Sequence, residues 1–224
     1  RKPIKIESEE VSSRHHGKSI LITGGAGSIG SEIVRQVSQF NPELIVILDQ
    51  AETPLYEIEN EMREKYPHIN FKFVLGDISN RHRIEPLFQK YQFSMVYHAA
   101  AYKHVPLIEE NPHEAILVNI LGSKNISTLA SKYKVNRFVM ISTDKAVKPT
   151  NVMGASKRAA ELFVQSLQNS EGNITKFITT RFGNVLGSNG SVIPHFKRQI
   201  ENGGPITITH PDIVRYFMTI PEAC

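Results

Sequence analysis

A single cysteine, no tryptophan and no long apolar run are the first features of this 224-residue chain. Cys224 is the last residue and has no second thiol to pair with, so no internal disulfide is expected; this suits a reducing compartment such as the cytoplasm. The longest apolar runs, such as Leu44 to Leu48, are strand-sized, and no membrane span is expected from them. The first residues are charged and polar with no apolar segment behind them, so no signal peptide is expected either. Basic residues fail to concentrate: 26 Lys and Arg are interleaved with 22 Asp and Glu, for a net charge of +4. A nucleic-acid partner is therefore not indicated, whereas a mild positive field suits a substrate carrying a diphosphate.

What is present is ordinary for a folded protein, with 40% hydrophobic and 21% charged residues. The chain opens on Arg1 rather than Met, and Pro221-Glu222 near its other end reads as the first turn of a helix. Both features suggest a piece of a longer protein. Residues 1–17 are polar and without helical or strand periodicity, and read as a linker or arm.

From Lys18 onward, strand and helix patterns alternate. Strands are expected at Ser19–Thr23, Leu44–Leu48, Phe71–Leu75, Met95–His98, Arg137–Ile141 and Thr175–Arg181. Helices are expected at Ser28–Phe40, Glu52–Lys65, Arg81–Tyr91, Pro112–Tyr133 and Ala155–Asn169. Apolar strands that barely alternate, each followed by a helix, imply an α/β fold with a doubly wound parallel sheet of Rossmann type. After Gly183 the regularity weakens and Gly187, Gly190, Gly203 and Gly204 punctuate short elements. A dinucleotide-binding domain over 18–183 and the beginning of a small C-terminal substrate lobe over 184–224 follow from that change.

Thr23-Gly24-Gly25-Ala26-Gly27-Ser28-Ile29-Gly30 is the most specific motif. Gly24, Gly27 and Gly30 follow an apolar strand directly and open an amphipathic helix. Backbone amides at a helix N-terminus then face a pyrophosphate, with Ser28 and Ile29 beside it. An acid is expected roughly 20 residues on, where it accepts hydrogen bonds from a ribose. Asp49 stands there, after Ile45-Val46-Ile47-Leu48. A carboxylate repels the 2′-phosphate of NADP and no arginine follows closely, so the cofactor expected is NAD. Asp77 and Ile78, after the third strand, can meet the adenine, although Asp77 reads equally well as a turn aspartate. Ala99, Ala100 and Ala101 are small enough to let a cofactor pass close to the fourth strand. His15-His16 lacks carboxylate or cysteine partners, and no metal is expected there.

Thr23–Gly30, His98-Ala99-Ala100-Ala101, Ser142-Thr143-Asp144-Lys145 and Arg181-Phe182-Gly183-Asn184-Val185 together resemble the extended short-chain dehydrogenase/reductases. The closer similarity is to their polysaccharide-biosynthesis branch, the UDP-N-acetylglucosamine 4,6-dehydratases. It extends over about residues 18–224, and Ala101-Tyr102-Lys103-His104-Val105-Pro106 is specific to that branch. One departure is plain: the family's Tyr-x-x-x-Lys reads Met153-Gly154-Ala155-Ser156-Lys157 here. A subgroup of the dehydratases has Met at that position, follows transmembrane helices and retains configuration at C5.

The resemblance implies an NAD-dependent lyase. Sugar C4 is transiently oxidised, water is eliminated across C5 and C6, and hydride returns to C6. In it Asp144 is the acid, Lys145 the base, and Thr143 bonds the C4 hydroxyl. Lys157 holds the nicotinamide ribose, and Asn184 and Arg215 contact the substrate diphosphate. Lys103 and His104 fall near the sugar or are a plain loop pair. Because mutual attraction favours the charged forms of Asp144 and Lys145, the two are expected to share one proton and titrate jointly. Met153 has no proton to accept, so the base for the C4 hydroxyl is Asp144, Lys145 or a water. Alternatively, Met153 is a packing residue in a site that has lost its chemistry. A UDP-sugar substrate and a homo-oligomer are the expected partners. A nucleotide-sugar 4-epimerase and a non-catalytic dinucleotide sensor are the competing readings.

Overall fold

A computed structural model of the chain describes residues 9–188, 190, 192–208, 210, 212 and 214–224. Six strands form one sheet: β1 (Ser19–Thr23), β2 (Leu44–Asp49), β3 (Asn70–Leu75), β4 (Met95–His98), β5 (Arg137–Thr143) and β6 (Lys176–Phe182). Their order is β3-β2-β1-β4-β5-β6 and every pair is parallel. The sequence-based expectation of a doubly wound sheet therefore holds, and the order reverses between β1 and β4, where such sheets open a crevice for ligands.

Alternation along β1 and β2 explains the two-sided burial. Leu21, Val46 and Leu48 point to one face, where α4 (Arg81–Tyr91), α7 (Ser123–Lys132) and α8 (Val152–Gln168) add Phe88, Leu129 and Val164. Ile20, Ile22, Ile45 and Ile47 point to the other, against Ile33 and Val34 of α2 (Ser28–Ser38) and Leu55, Ile58 and Met62 of α3 (Glu52–Lys65). Burial of each such side chain is worth about 1.5–3 kcal/mol. Coverage fails at the sheet's far edge, where β5 alternates buried with half-buried residues and Ile178 of β6 is exposed.

Four local differences from the sequence reading have physical causes. Residues 9–15, expected to be part of an aperiodic arm, form the helix α1 (Glu9–His15). Seven residues show no usable period; the helix docks through His15, which stacks on Phe40 and Tyr97 and hydrogen-bonds the Tyr97 hydroxyl at 2.7 Å. A short helix α5 (Val105–Glu110) follows β4, with Pro106 in its first turn. The helix expected at Pro112–Tyr133 is composite: α6 (Pro112–Glu114), a π-helical run Ala115–Gly122, then α7. Helix α8 begins at Val152, before the expected Ala155, because the Asn151 side chain accepts the Gly154 N–H at 2.8 Å and caps it.

Beyond Gly183 the elements are β7 (Asn184–Val185), α9 (Val192–Glu201), β8 (Phe217–Met218) and α10 (Ile220–Ala223). Strands β7 and β8 pair as a separate two-stranded sheet, with Asn184 opposite Phe217. Helix α9 has no buried residue.

Candidate active site

Two adjoining cavities lie at the carboxyl edge of the sheet, sharing Gly24, Gly27, Ala99 and Ala101. The smaller, about 230 Å³, is bounded by the glycine turn, Asp49, Gly76, Ile78 and the three alanines after β4. Gly24 is indispensable to it. Its φ is +66°, and a Cβ there would stand 2.5 Å from the Ala100 backbone nitrogen. A Cβ on Gly30 would collide with the Gly24 carbonyl, so α2 packs directly beneath the turn.

Asp49 at the end of β2 is held on both oxygens: Ala26 N–H donates to Oδ2 and Ala51 N–H to Oδ1, each at 2.9 Å. Each oxygen keeps a lone pair for a ribose hydroxyl. The close backbone approach, the amides at the start of α2 and this fixed acid fit a dinucleotide. Asp77 does not border the cavity. Its carboxylate accepts the Ser79 N–H at 2.7 Å, the turn role that the sequence left open, while its neighbour Ile78 lines the wall.

The larger cavity, about 480 Å³, is lined by Ser28, Ile29 and Gly30 at the start of α2, and by Lys103, His104, Thr143, Lys145, Met153, Lys157, Asn184 and Arg215. The tertiary structure thus brings together candidates from six separate stretches of chain, while Asp144 is not among the residues that line the cavity. Thr143 ends β5 and Asp144-Lys145-Ala146 is a single 3₁₀ turn. The Thr143 hydroxyl donates to Asp144 Oδ1 at 2.9 Å, and Lys145 Nζ donates to the same oxygen at 3.1 Å. Burial would raise the Asp144 carboxyl, but the hydrogen bonds from Lys145 and Thr143 outweigh it and hold the group below its ordinary value. Asp144 and Lys145 thus stand in ion-pair contact, with side chains 53% and 39% accessible to water.

Lys157 is the opposite case. It lies one helical turn beyond Met153 on α8, is buried, and donates to the Ile141 carbonyl at 2.8 Å. Burial lowers its ammonium to about 8, against the pull of the Glu161 carboxylate. Met153 is buried beside Ile108 and Ala115 while still bordering the cavity. Burial also lowers Lys103 and His104, the latter further through the charge of Lys103.

Asn184 and Arg215 meet through the small sheet. The Asn184 backbone N–H donates to the Tyr216 carbonyl at 3.3 Å and its side-chain amide to the same oxygen at 3.5 Å. This ties the strand after Gly183 to the segment carrying Arg215.

Beneath the cavity runs a buried polar chain that sequence reasoning missed. Ser123 Oγ donates to the Asn119 carbonyl at 2.6 Å, so it accepts from His98 Nε2–H at 2.9 Å. His98 Nδ1 then accepts from the Thr23 hydroxyl at 2.7 Å. Burial, aided by the charge of Lys157, lowers His98 to about 3, so the ring is a neutral strut. Asn119, turned inward by the π-helical run, bonds the Tyr102 backbone on both its N–H and C=O, and Ser156 Oγ. Glu161 was also missed, although its place four residues beyond Lys157 puts both on one face of α8.

The model of the polysaccharide biosynthesis protein family matches residues 20–224. The capsular polysaccharide biosynthesis protein CapD of Staphylococcus aureus is 54% identical over 224 residues, which are the whole of this chain and 37% of CapD. A UDP-glucose 4-epimerase of Rickettsia canadensis is 37% identical over 92% of this chain and 60% of its own length. A UDP-N-acetylglucosamine 4,6-dehydratase (inverting) of Campylobacter jejuni is 35% identical over 92% of this chain and 61% of its own. Among solved structures, Pen from Bacillus thuringiensis superposes with a TM-score of 0.87 at 37% identity, over 93% of this chain and 64% of that one. WbmG of Bordetella bronchiseptica, in complex with NAD and UDP, gives a TM-score of 0.73 at 25% identity, over 92% of this chain and 66% of that one. The chain thus spans little more than a third of CapD and about three fifths of the other two curated relatives. It belongs to the polysaccharide biosynthesis protein family, a branch of the extended short-chain dehydrogenase/reductases.

Proposed function

We propose that this chain carries the cofactor and catalytic face of an NAD-dependent enzyme of the nucleotide-sugar dehydratase/epimerase kind, and specifically of a UDP-N-acetylglucosamine 4,6-dehydratase. The observation that carries the reading is continuity: the groove of Gly24 and Asp49 runs into a cavity lined by Thr143, Lys145 and Lys157. A bound NAD, held by the glycine turn and Asp49, would supply reversible hydride transfer between sugar C4 and C6.

The chain's own residues do the rest. Lys157 holds the nicotinamide ribose, and Thr143 orients the C4 hydroxyl. The proton leaving that hydroxyl goes to a water, because Met153 has no atom that takes it and both Asp144 and Lys145 are needed for the elimination. Passing one proton across the 3.1 Å contact from Lys145 to Asp144 converts the ion pair into a neutral base and a neutral acid. Substrate closing over the pair removes water and favours that transfer. Lys145 then takes the C5 proton, acidified by the C4 ketone, while Asp144 protonates the departing C6 hydroxyl as water. The two residues return to the ion pair, and Lys145 gives a proton back to C5 as hydride arrives at C6. The proton shed by the C4 hydroxyl replaces the one carried away in water, so the cycle closes. Arg215 and Asn184 bind the diphosphate, and Lys103 and His104 flank the sugar. The domain works on the cytoplasmic side of a membrane, where nucleotide sugars are made into polysaccharide precursors.

The experiment uses the full-length protein with UDP-N-acetylglucosamine in deuterated water, read by mass spectrometry and NMR. Loss of one water with deuterium at C5 supports the dehydratase. An unchanged mass with inversion at C4 and no deuterium at C5 supports the epimerase, which the Rickettsia relative favours. Absence of any turnover, with NAD still bound, supports a dinucleotide sensor.

A further inference from the structure

Glu161 is the most enclosed carboxylate among the described residues, with a fully buried side chain and every oxygen in use. Oε1 accepts the Ser142 hydroxyl at 2.5 Å and Arg181 Nε at 2.8 Å. Oε2 accepts Arg181 Nη2 at 2.5 Å and Arg158 Nη1 at 3.0 Å. Four donors from three residues converge on one acceptor-only group, an arrangement that an amide of the same shape cannot satisfy.

The positions of those donors matter more than their number. Ser142 and Arg181 are register partners across β5 and β6, as are Thr143 and Phe182 one step further. Ser142 immediately precedes Thr143-Asp144-Lys145; Arg181 precedes Phe182-Gly183-Asn184. Gly183 lies against the Asp144 carboxylate: a Cβ built there would be 3.5 Å from Oδ2. One turn back along α8, Lys157 grips the Ile141 carbonyl, so α8 holds the last residues of β5 at two consecutive points. Neither Glu161 nor Arg181 lines the cavities, whereas Ser142 borders the larger one.

We propose that Glu161 is a positioning residue for this site. Its carboxylate clamps the ends of β5 and β6 to α8, and so sets where the acid/base turn stands relative to the Asn184 strand and the Lys157 ammonium. The proposal rests on the catalytic reading of Thr143-Asp144-Lys145. It adds a cause for their placement that lies outside the cavity. A second consequence follows from charge: without the Glu161 carboxylate, which raises it, the Lys157 ammonium titrates at lower pH than it does now.

The test compares Glu161→Asp, Glu161→Gln, Ser142→Ala and the Ser142→Ala/Glu161→Gln double variant in the full-length protein. Ser142→Ala removes a single donor and leaves both arginine contacts, so it keeps the test decisive even if Glu161→Gln fails to fold. Expected for Ser142→Ala is a fall in kcat of roughly 10- to 100-fold with KM changed less than about threefold, as small misplacement of reacting groups produces. Glu161→Asp keeps the charge and recovers part of the activity lost in Glu161→Gln. The double variant is no worse than the poorer single, because both act through one contact. The Lys157 ammonium, which the Glu161 carboxylate holds up, titrates at lower pH in Glu161→Gln, as NMR of the lysine side chain would read. Folded Ser142→Ala and Glu161→Asp proteins with kcat within about twofold of wild type overturn the proposal, as do fully additive effects in the double variant. Should the wild type epimerise rather than dehydrate, the dehydratase reading falls. The same variants then test Glu161 on epimerisation, since Thr143 and Lys157 serve that reaction too.

Discussion

The dinucleotide groove and the proposed substrate side of this protein are built by different means. The dinucleotide groove is an outgrowth of the core: its glycine turn is the end of β1, and its acid the end of β2, both strands fully buried along most of their length. The substrate side is assembled from short pieces, with two-residue strands and a helix, α9, that buries nothing. Ile200, Ile206, Ile208, Val214 and Tyr216 are exposed there. Geometry is preformed by the core on one side and weakly supported on the other, so a change in the glycine turn should disturb the core while a change among the short pieces should not. Thr143-Asp144-Lys145 belongs to both, standing on a core strand and facing the exposed segment.

The sharpest way to break this comparison is at the junction. Lys145→Ala should lower turnover roughly 10²–10⁴-fold while leaving bound NAD and the melting temperature near wild type. Steady-state kinetics with calorimetric NAD titration checks it, and loss of NAD binding would move Lys145 to the cofactor side. On the core side, Gly24→Ala forces a Cβ into the Ala100 backbone at a positive φ. Strain of about 1–3 kcal/mol should appear both as weaker NAD binding and as a lower melting temperature. A variant that loses NAD affinity with unchanged stability would uncouple the two. On the substrate side, Arg215→Ala should raise KM for the UDP-sugar by about tenfold, the scale of one charge-assisted hydrogen bond, without altering the melting temperature.

Two pH effects of smaller size separate the regions further. Folding lowers Lys157 to about 8, so the folded state bears the cost of a buried charge below that pH and is relieved of it as pH rises toward the ordinary lysine value. Stability should therefore gain between about pH 8 and 10.5, and Lys157→Met should abolish that gain in denaturant titrations. His15, lowered by burial despite its hydrogen bond to the Val11 carbonyl, acts in the same direction at lower pH. Stability should fall as pH drops below 6.5, and His15→Phe should flatten the fall. No change in either slope would mean that these groups are solvated rather than packed.

The sheet was legible because its strands are apolar runs of fixed length separated by amphipathic helices, a pattern that survives without tertiary knowledge. Strand β4 and helices α3 and α4 were located to the residue. Three features were not legible, each because a distant residue supplies the reason. Helix α1 is held by Tyr97, more than eighty positions away. The π-helical run is stabilised where Asn119 finds the Tyr102 backbone and Ser156. Glu161 reads as one more helix-surface acid until Arg181 and Ser142 close on it. The Asp144-Lys145 pair was legible as a motif, while its contact and its partial exposure to water are set by the fold. No helix among the described residues is long and apolar enough to cross a membrane.

By itself, the sequence determined the fold class, the glycine turn, the candidate ribose-binding acid and the acid/base candidates. Local chemistry suffices there: a left-handed glycine before a helix, an acid at a strand end and an adjacent Asp-Lys pair carry their meaning in order and spacing. Only the tertiary structure decided which of these share a cavity, that Asp77 turns the chain instead of lining the groove, and that Lys157 is buried while Lys145 is not. Burial and convergence belong to no single residue, because they arise only when β5, β6 and α8 pack together and exclude water from one lysine but leave the other wet.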